Sequence, residues 1–255
     1  MVSSFLSSTA ITSTTTSRAT SAPAKPVSGR PADLLDHHRL VTITGGQMWN
    51  AAEAFVHDTY VDLGYTKPSA RRQVEELAPY ESASTFHAVI DDTDRIVGTV
   101  RSIYGTYDEL PVGKFHHLDD GGTDPLCELS SLVVSPTMRS TGVIEHLYRV
   151  GWSEAYRMEC SALVAIIDDW LLDVFTANYR LPFLQIGEGH EYMGGVPVPA
   201  VLPLDGHYED CIRENPRFAG WMLEIITDDE LARWGIEPPV GEPRPVVAPT
   251  FATVR

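Results

Sequence analysis

The sequence predicts an α/β protein built on a mixed sheet, and three observations carry that expectation. The stretch Cys127–Ile144, CELSSLVVSPTMRSTGVI, passes from an apolar, β-branched run through a proline turn into a helical pattern. The run Ala162–Ile167, ALVAII, has the length and composition of a buried strand. Elements around them follow the order β, α, α, β, β, β, α, β, α, β, β, without internal repeats.

Residues 1–30 are rich in Ser, Thr and Ala, contain Pro23 and Pro26, and have no acidic residue. Little apolar surface is available there to offset ordering entropy, so a disordered tail is expected. The same composition is open to a transit-peptide reading, although Arg18, Lys25 and Arg30 are few. Leu40–Thr44 alternates as a short strand and ends at Gly45-Gly46. Trp49, Ala52, Phe55, Val56, Tyr60 and Leu63 then recur at helical spacing, with Gly64 as the stop. A second short helix is expected over Ser69–Leu77, capped by Ser69 and carrying Arg71 and Arg72. Thr85–Ile90 and Arg95–Tyr104 read as a hairpin across Asp91-Asp92-Thr93-Asp94. Gly105–Pro125 reads as a long Gly- and Asp-rich loop.

In the central stretch Leu132-Val133-Val134 ends the strand, because Pro136 has no N–H to give a sheet. Arg139, Ser140, Thr141 and Gly142 follow, then a helix marked by Val143, Leu147, Val150, Gly151 and Ala155. Ser140 or Thr141 is expected to cap it. Unpaired N–H groups at a helix start, beside an arginine, make an anion site. The stretch is therefore either a phosphate-holding loop or a plain strand–turn–helix with a surface arginine. Further on, a short helix is expected over Trp170–Tyr179, strands over Pro182–Gly187 and Val198–Leu204, and a last helix over Ile225–Trp234.

With 255 residues, 43% of them hydrophobic, the chain can bury one sizeable core. One domain over 31–236 is expected, followed by a Pro-rich tail over 237–255. Lys+Arg number 19 against 35 Asp+Glu, a formal net charge of −16, which disfavours nucleic acid and anionic membrane. Cys127, Cys160 and Cys211 are odd in number and lack CxxC spacing, as expected of reduced thiols in a cytoplasmic compartment. The pairs His37-His38 and His116-His117 point to opposite faces if extended and lack a ligand-spaced carboxylate or thiol, so no metal is expected.

The central stretch resembles the donor loop of the GNAT acyltransferases, V-x-P-x-x-(R/Q)-x-x-G-x-(G/A). Val134, Pro136, Arg139 and Gly142 match, and Ile144 stands where that family has glycine or alanine. Within the superfamily, Gly64-Tyr65 after a helix, Gly98-Thr99-Val100-Arg101, Cys127-Glu128-Leu129-Ser130 and the segment Tyr192–Ala200 resemble the N-acyl homoserine lactone (autoinducer) synthases and N-acyl amino acid synthases. Ser131 replaces that branch's arginine.

The resemblance implies a GNAT-type mixed, mostly antiparallel central sheet flanked by helices, and an N-acyltransferase acting on the amine of a small amino-acid-like metabolite. It implies no tightly bound cofactor: the co-substrate is an acyl-CoA or acyl carrier protein thioester, or else an aminoacyl-tRNA. A GNAT-like domain that binds a ligand or partner without catalysis is the other reading, in keeping with Ile144 and Ser131. Leu132, Val133, Val134, Arg139, Ser140, Thr141 and Gly142 are implied donor-binding residues. Glu128 and Arg101 are implied to face the acceptor, Glu128 taking the amine proton and Arg101 clamping a carboxylate; alternatively the two pair as a structural salt bridge. Tyr179 lies near the family's thiol-protonating tyrosine, or is simply a packed tyrosine. Asp168, ending a strand, is a further base candidate, while Asp169 reads as a helix N-cap.

Overall fold

The computed structural model describes residues 31–34, 36–119, 121–139, 141–205, 207–238 and 252–254. The expected tail over 1–30, Ser140 and most of the Pro-rich end lie outside them.

The strands are β1 (Arg39–Ile43), β2 (Ser84–Ile90), β3 (Ile96–Gly105), β4 (Leu126–Val134), β5 (Ala162–Ile167), β6 (Leu184–Gln185), β7 (Val198–Pro203) and β8 (Ala252–Val254). They form one sheet in the order β6-β7-β5-β4-β3-β2-β1-β8. Only β4/β5 and β1/β8 are parallel; the other neighbours are antiparallel. The mixed, mostly antiparallel sheet flanked by helices is thus the architecture.

Alternation sorts the strand residues between two faces. Ala162 and Val164 face helix α1 (Gly46–Leu63), whose Trp49, Ala52 and Val56 pack on Val41, Phe86 and Ile103. Leu163, Ala165 and Ile167 face the other way, into a core shared with Trp152 of α3 (Val143–Arg157) and Trp221. Gly98 lets α3 approach β3: a Cβ there would stand 2.7 Å from Val143 Cγ1.

Several expectations are corrected. Residues 69–74 are not helical. The Ser69 N–H donates to His57 Nε2, and Arg72, at φ 48, turns the chain to pair with Asp58; a 3-10 stretch over Glu75–Ala83 follows. The loop expected over 105–125 contains a 3-10 turn at Tyr107–Glu109, closed by a Thr106/Glu109 capping box, and helix α2 (Pro111–Phe115). The helix expected over Trp170–Tyr179 is α4 (Asp169–Asp173) continued by a π turn, Val174–Asn178. Before the last helix α7 (Asp228–Trp234) come α5 (His207–Glu214) and α6 (Pro216–Leu223), which periodicity did not flag.

The corrected residue of most consequence is Arg101. It has no solvent exposure and does not pair with Glu128. Its Nη1 donates to Glu53 Oε1 of α1 at 3.1 Å, Nη2 to the Leu77 carbonyl at 3.1 Å, and Nε to Ser84 Oγ at 2.9 Å. Trp49 and Phe86 stack against the guanidinium at 5.4 and 5.3 Å. Burial raises the Glu53 pKa while Arg101 opposes the rise. Arg101 is therefore the tie between α1, β3 and the 3-10 stretch. Replacing it by methionine strands Glu53 in the core and should cost about 3–5 kcal/mol in urea denaturation. Adding Glu53→Leu should restore much of that loss; an unchanged midpoint for Arg101→Met alone would show that the tie contributes nothing.

Candidate functional site

The site arises where β4 and β5 part. Their parallel pairing runs only from Leu126–Ala162 to Glu128–Val164. Beyond it β4 stays with β3, and β5 stays with β7 to Ile167. A bulge helps turn β4 away: Thr99 pairs with Val133 and Arg101 with Ser130, leaving Ser131 and Leu132 opposite Val100. Ser131 sits at φ 50, and the Thr99 hydroxyl donates to its carbonyl at 3.1 Å, pinning the bulge. Into the parting opens a cavity of about 840 Å³ with a mainly apolar wall.

Glu128, Asp168, Tyr179, Leu132, Val133, Val134, Arg139 and Gly142 all line this one cavity, whereas Arg101 and Thr141 do not. Glu128 is only 2% exposed, and its Oε2 accepts the Val112 N–H at 2.8 Å. Burial pushes its pKa up to about 8 against that single hydrogen bond. With Arg101 held elsewhere, desolvation decides the direction of the shift.

Asp168 directly follows β5 and is itself the N-cap residue of α4, displacing Asp169 from that role, with no side-chain cap bond. Its Oδ2 instead accepts the Tyr65 hydroxyl at 2.8 Å, and burial together with this bond raises Tyr65 to about 12. Tyr179, just past the π turn, donates its hydroxyl to Glu145 Oε1 at 2.6 Å. Burial and the Glu145 carboxylate both raise the Tyr179 pKa. Glu145, Tyr60 and Tyr65 line the cavity and were not among the expected site residues. Glu145 stands in the first turn of α3, three residues after Gly142, which was its only sequence signal.

On the donor side, Arg139 is exposed and makes no ion pair among the described residues. The N-cap of α3 is Gly142, not Ser140 or Thr141, and the Thr141 hydroxyl donates to the Met138 carbonyl at 2.6 Å. Gly142 has φ 84, and a Cβ there would stand 2.8 Å from the Ala32 carbonyl oxygen, so the position needs glycine. The first-turn N–H groups of α3 thus begin beside an exposed guanidinium, the elements of an anion site. Ile144 also lines the cavity.

This sheet, parted beside a helix that starts at an Arg-x-x-Gly loop, defines a GNAT-type N-acyltransferase. The model of the N-acyl amino acid synthase FeeM family matches residues 51–203, and the chain belongs to that family. The non-catalytic reading gives way to this membership. The fold is similar to FeeM, an N-acyl amino acid synthase from uncultured soil microbes, at 16% identity and a TM-score of 0.54, over 68% of this chain and 94% of that one. It is similar as well to the CoA-dependent acyl-homoserine lactone synthase BjaI, at 14% identity and a TM-score of 0.54, over 78% and 90%. TofI, in a ternary complex with an inhibitor and MTA, aligns at 17% identity with a TM-score of 0.52, over 71% and 99%. No curated protein matches the sequence. Among the described residues no helix is long and apolar enough to cross a membrane, and no cluster of His, Cys, Asp or Glu is arranged to hold a metal ion.

The raised Glu128 pKa fixes a pH dependence. The folded protein holds this proton more tightly than the unfolded chain, so the associated stability is fully present below the ordinary carboxylate value of 4.5 and is lost as pH rises through about 8. Urea midpoints should fall across that window. Glu128→Gln, which is uncharged throughout and keeps an acceptor for the Val112 N–H, should flatten the fall; a slope as steep as wild type would place its cause elsewhere.

Proposed function

We propose that the protein transfers an acyl group from a thioester donor to the primary amine of a small metabolite derived from an amino acid. The single observation that carries this reading is the apolar cavity in the β4–β5 parting, bounded by the start of α3 with Arg139 and by buried Glu128. The donor is an acyl-CoA or an acyl carrier protein thioester, which present phosphate beside the same reactive group. Arg139 and the first-turn N–H groups of α3 hold that phosphate. The acyl chain lies along Leu132, Val133 and Val134, and the unpaired N–H groups of the parted strand stabilise the developing oxyanion.

The acceptor enters toward Glu128. An incoming ammonium must give up a proton before attack, and a carboxyl that titrates near 8 is matched to take it around neutral pH. Nitrogen then bonds to the acyl carbon, the carbon–sulfur bond breaks, and the departing thiolate needs a proton. Tyr179 supplies it by swinging its hydroxyl from Glu145 to sulfur; the second proton that the nitrogen sheds on becoming an amide restores the phenol, which turns back to Glu145, and Glu128 releases its own proton to solvent. Asp168 holds Tyr65 at the wall and stands next in reach as a base.

Two kinetic experiments test the assignment. Arg139→Ala should raise the donor KM by roughly tenfold or more with a smaller effect on kcat, because phosphate binding is common to ground and transition states. Unchanged donor affinity would move the phosphate site away from this loop. Glu128→Gln should lower kcat/KM by roughly 10²–10⁴-fold with folding intact. Thiol release at the wild-type rate would remove Glu128 from the chemistry.

A further inference from the structure

Once the acceptor's amine reaches Glu128, its other end also needs a partner, and the bulge in β4 supplies one. The bulge breaks the strand's alternation. Leu129, Leu132 and Val134 all pack toward Val143 and Leu147 of α3, so Ser131 is the residue displaced from that face. Ser131 is only 4% exposed and lines the cavity, yet its Oγ is buried with no hydrogen-bond partner. A buried hydroxyl left unpaired is costly, and at a cavity wall it marks a place for a ligand's polar atom.

Tyr60 lines the same wall. Burial raises its pKa, and the neighbouring Ser131 hydroxyl opposes the rise, so the two hydroxyls stand side by side. Both keep a proton to donate. Asp168 adds to the rise and Arg101 opposes it, so a carboxylate and a buried guanidinium flank the pair. The Asp168 Oδ2 is occupied by the Tyr65 hydroxyl, and Arg101 stays on Glu53, the Leu77 carbonyl and Ser84 behind the wall. Glu128 stands three residues before Ser131, roughly 10 Å along an extended strand. An α-amino carboxylate with one hydrogen bond at each end covers such a span. Glu128 does not repel it, because burial keeps its proton on up to about 8.

We propose that Ser131 and Tyr60 form the subsite for the acceptor's carboxylate, two hydroxyl donors in place of a cation in direct contact. This rests on the transferase reading and deepens it. The acceptor is an α-amino acid, and these two residues set its preference over the corresponding ester or amine.

Thiol release tests it, with tyrosine, leucine and phenylalanine as acceptors, each beside its methyl ester and its decarboxylated amine, and with acyl-CoA and acyl carrier protein donors. The wild-type enzyme should prefer the amino acid in every set that reacts. Ser131→Ala and Tyr60→Phe should each raise the KM of the amino acid by roughly tenfold or more, while the ester, the amine and the donor move by less than about twofold. Ser131→Gly, which meets the positive φ without strain, should repeat the alanine result and separate it from a folding defect. An amino-acid KM that stays put in either hydroxyl variant overturns the proposal. So does an equal loss on amino acid, ester and amine, which assigns the hydroxyls to the thioester carbonyl or to folding, and so does a wild-type enzyme without preference for the amino acid. If no set releases thiol, the transferase reading fails separately, and calorimetric titration with the same amino acids decides the subsite. Binding that Ser131→Ala weakens upholds it; binding indifferent to the substitution, or none, overturns it.

Discussion

Where β4 leaves β5 after Glu128, two strands that would otherwise complete a parallel ladder go separate ways. The rest of the site depends on that parting. It frees backbone donors along β4, opens the cavity, and directs the chain through Pro136 toward the glycine that starts α3. The parting is secured from the other side of the strand. A two-against-one bulge at Val100 and the Thr99 bond to the Ser131 carbonyl commit β4 to β3. A non-glycine residue at positive φ in a central strand is uncommon. Here it sits where the strand must change direction, and Ser131 puts a small side chain at that bend.

The second organising constraint is the separation of charge. The chain places Arg101 and Glu128 on adjacent strands, yet keeps them apart by giving each its own partner. Glu53 takes the guanidinium into the α1 core, and the Val112 N–H takes the carboxyl into the cavity wall. Had they paired, Glu128 would be an ordinary carboxylate, held ionised and structurally engaged. Apart, burial raises it into the range where proton transfer near neutrality is efficient.

Much of this was legible from the residues. Helix α1 declared itself through Trp49, Ala52, Val56 and the Gly64 stop, and β5 through an unbroken apolar run. The central loop was legible because proline, arginine and glycine each constrain the backbone or the ligand in a distinct way. Pairings between distant side chains were not. The partner of Arg101 could have been suspected, since Glu53 falls four residues after Trp49 and three before Val56, on the buried stripe of α1. Glu145 gave no such hint, because an acidic residue in the first turn of a helix is ordinary dipole complementation. The short α2 lies in a Gly- and Asp-rich stretch too brief for periodicity to emerge, and α5 and α6 are each eight residues, divided by Asn215-Pro216.

The close approach of Ala32 to Gly142 reaches beyond the geometry of a helix start. The same Ala32 carbonyl accepts from His146 Nε2 at 3.0 Å, across 114 positions of sequence. Leu34 packs with Val143 and Leu147 beside it. The turn proposed to receive the donor is thus finished by residues from the start of the described chain. Contacts of such long separation must meet a loop-closure cost before they reward folding. During synthesis and refolding, the core around β2, β3 and α3 can consolidate while this turn remains incomplete. A delay in closing this long-range contact would fall on the segment proposed to bind the donor.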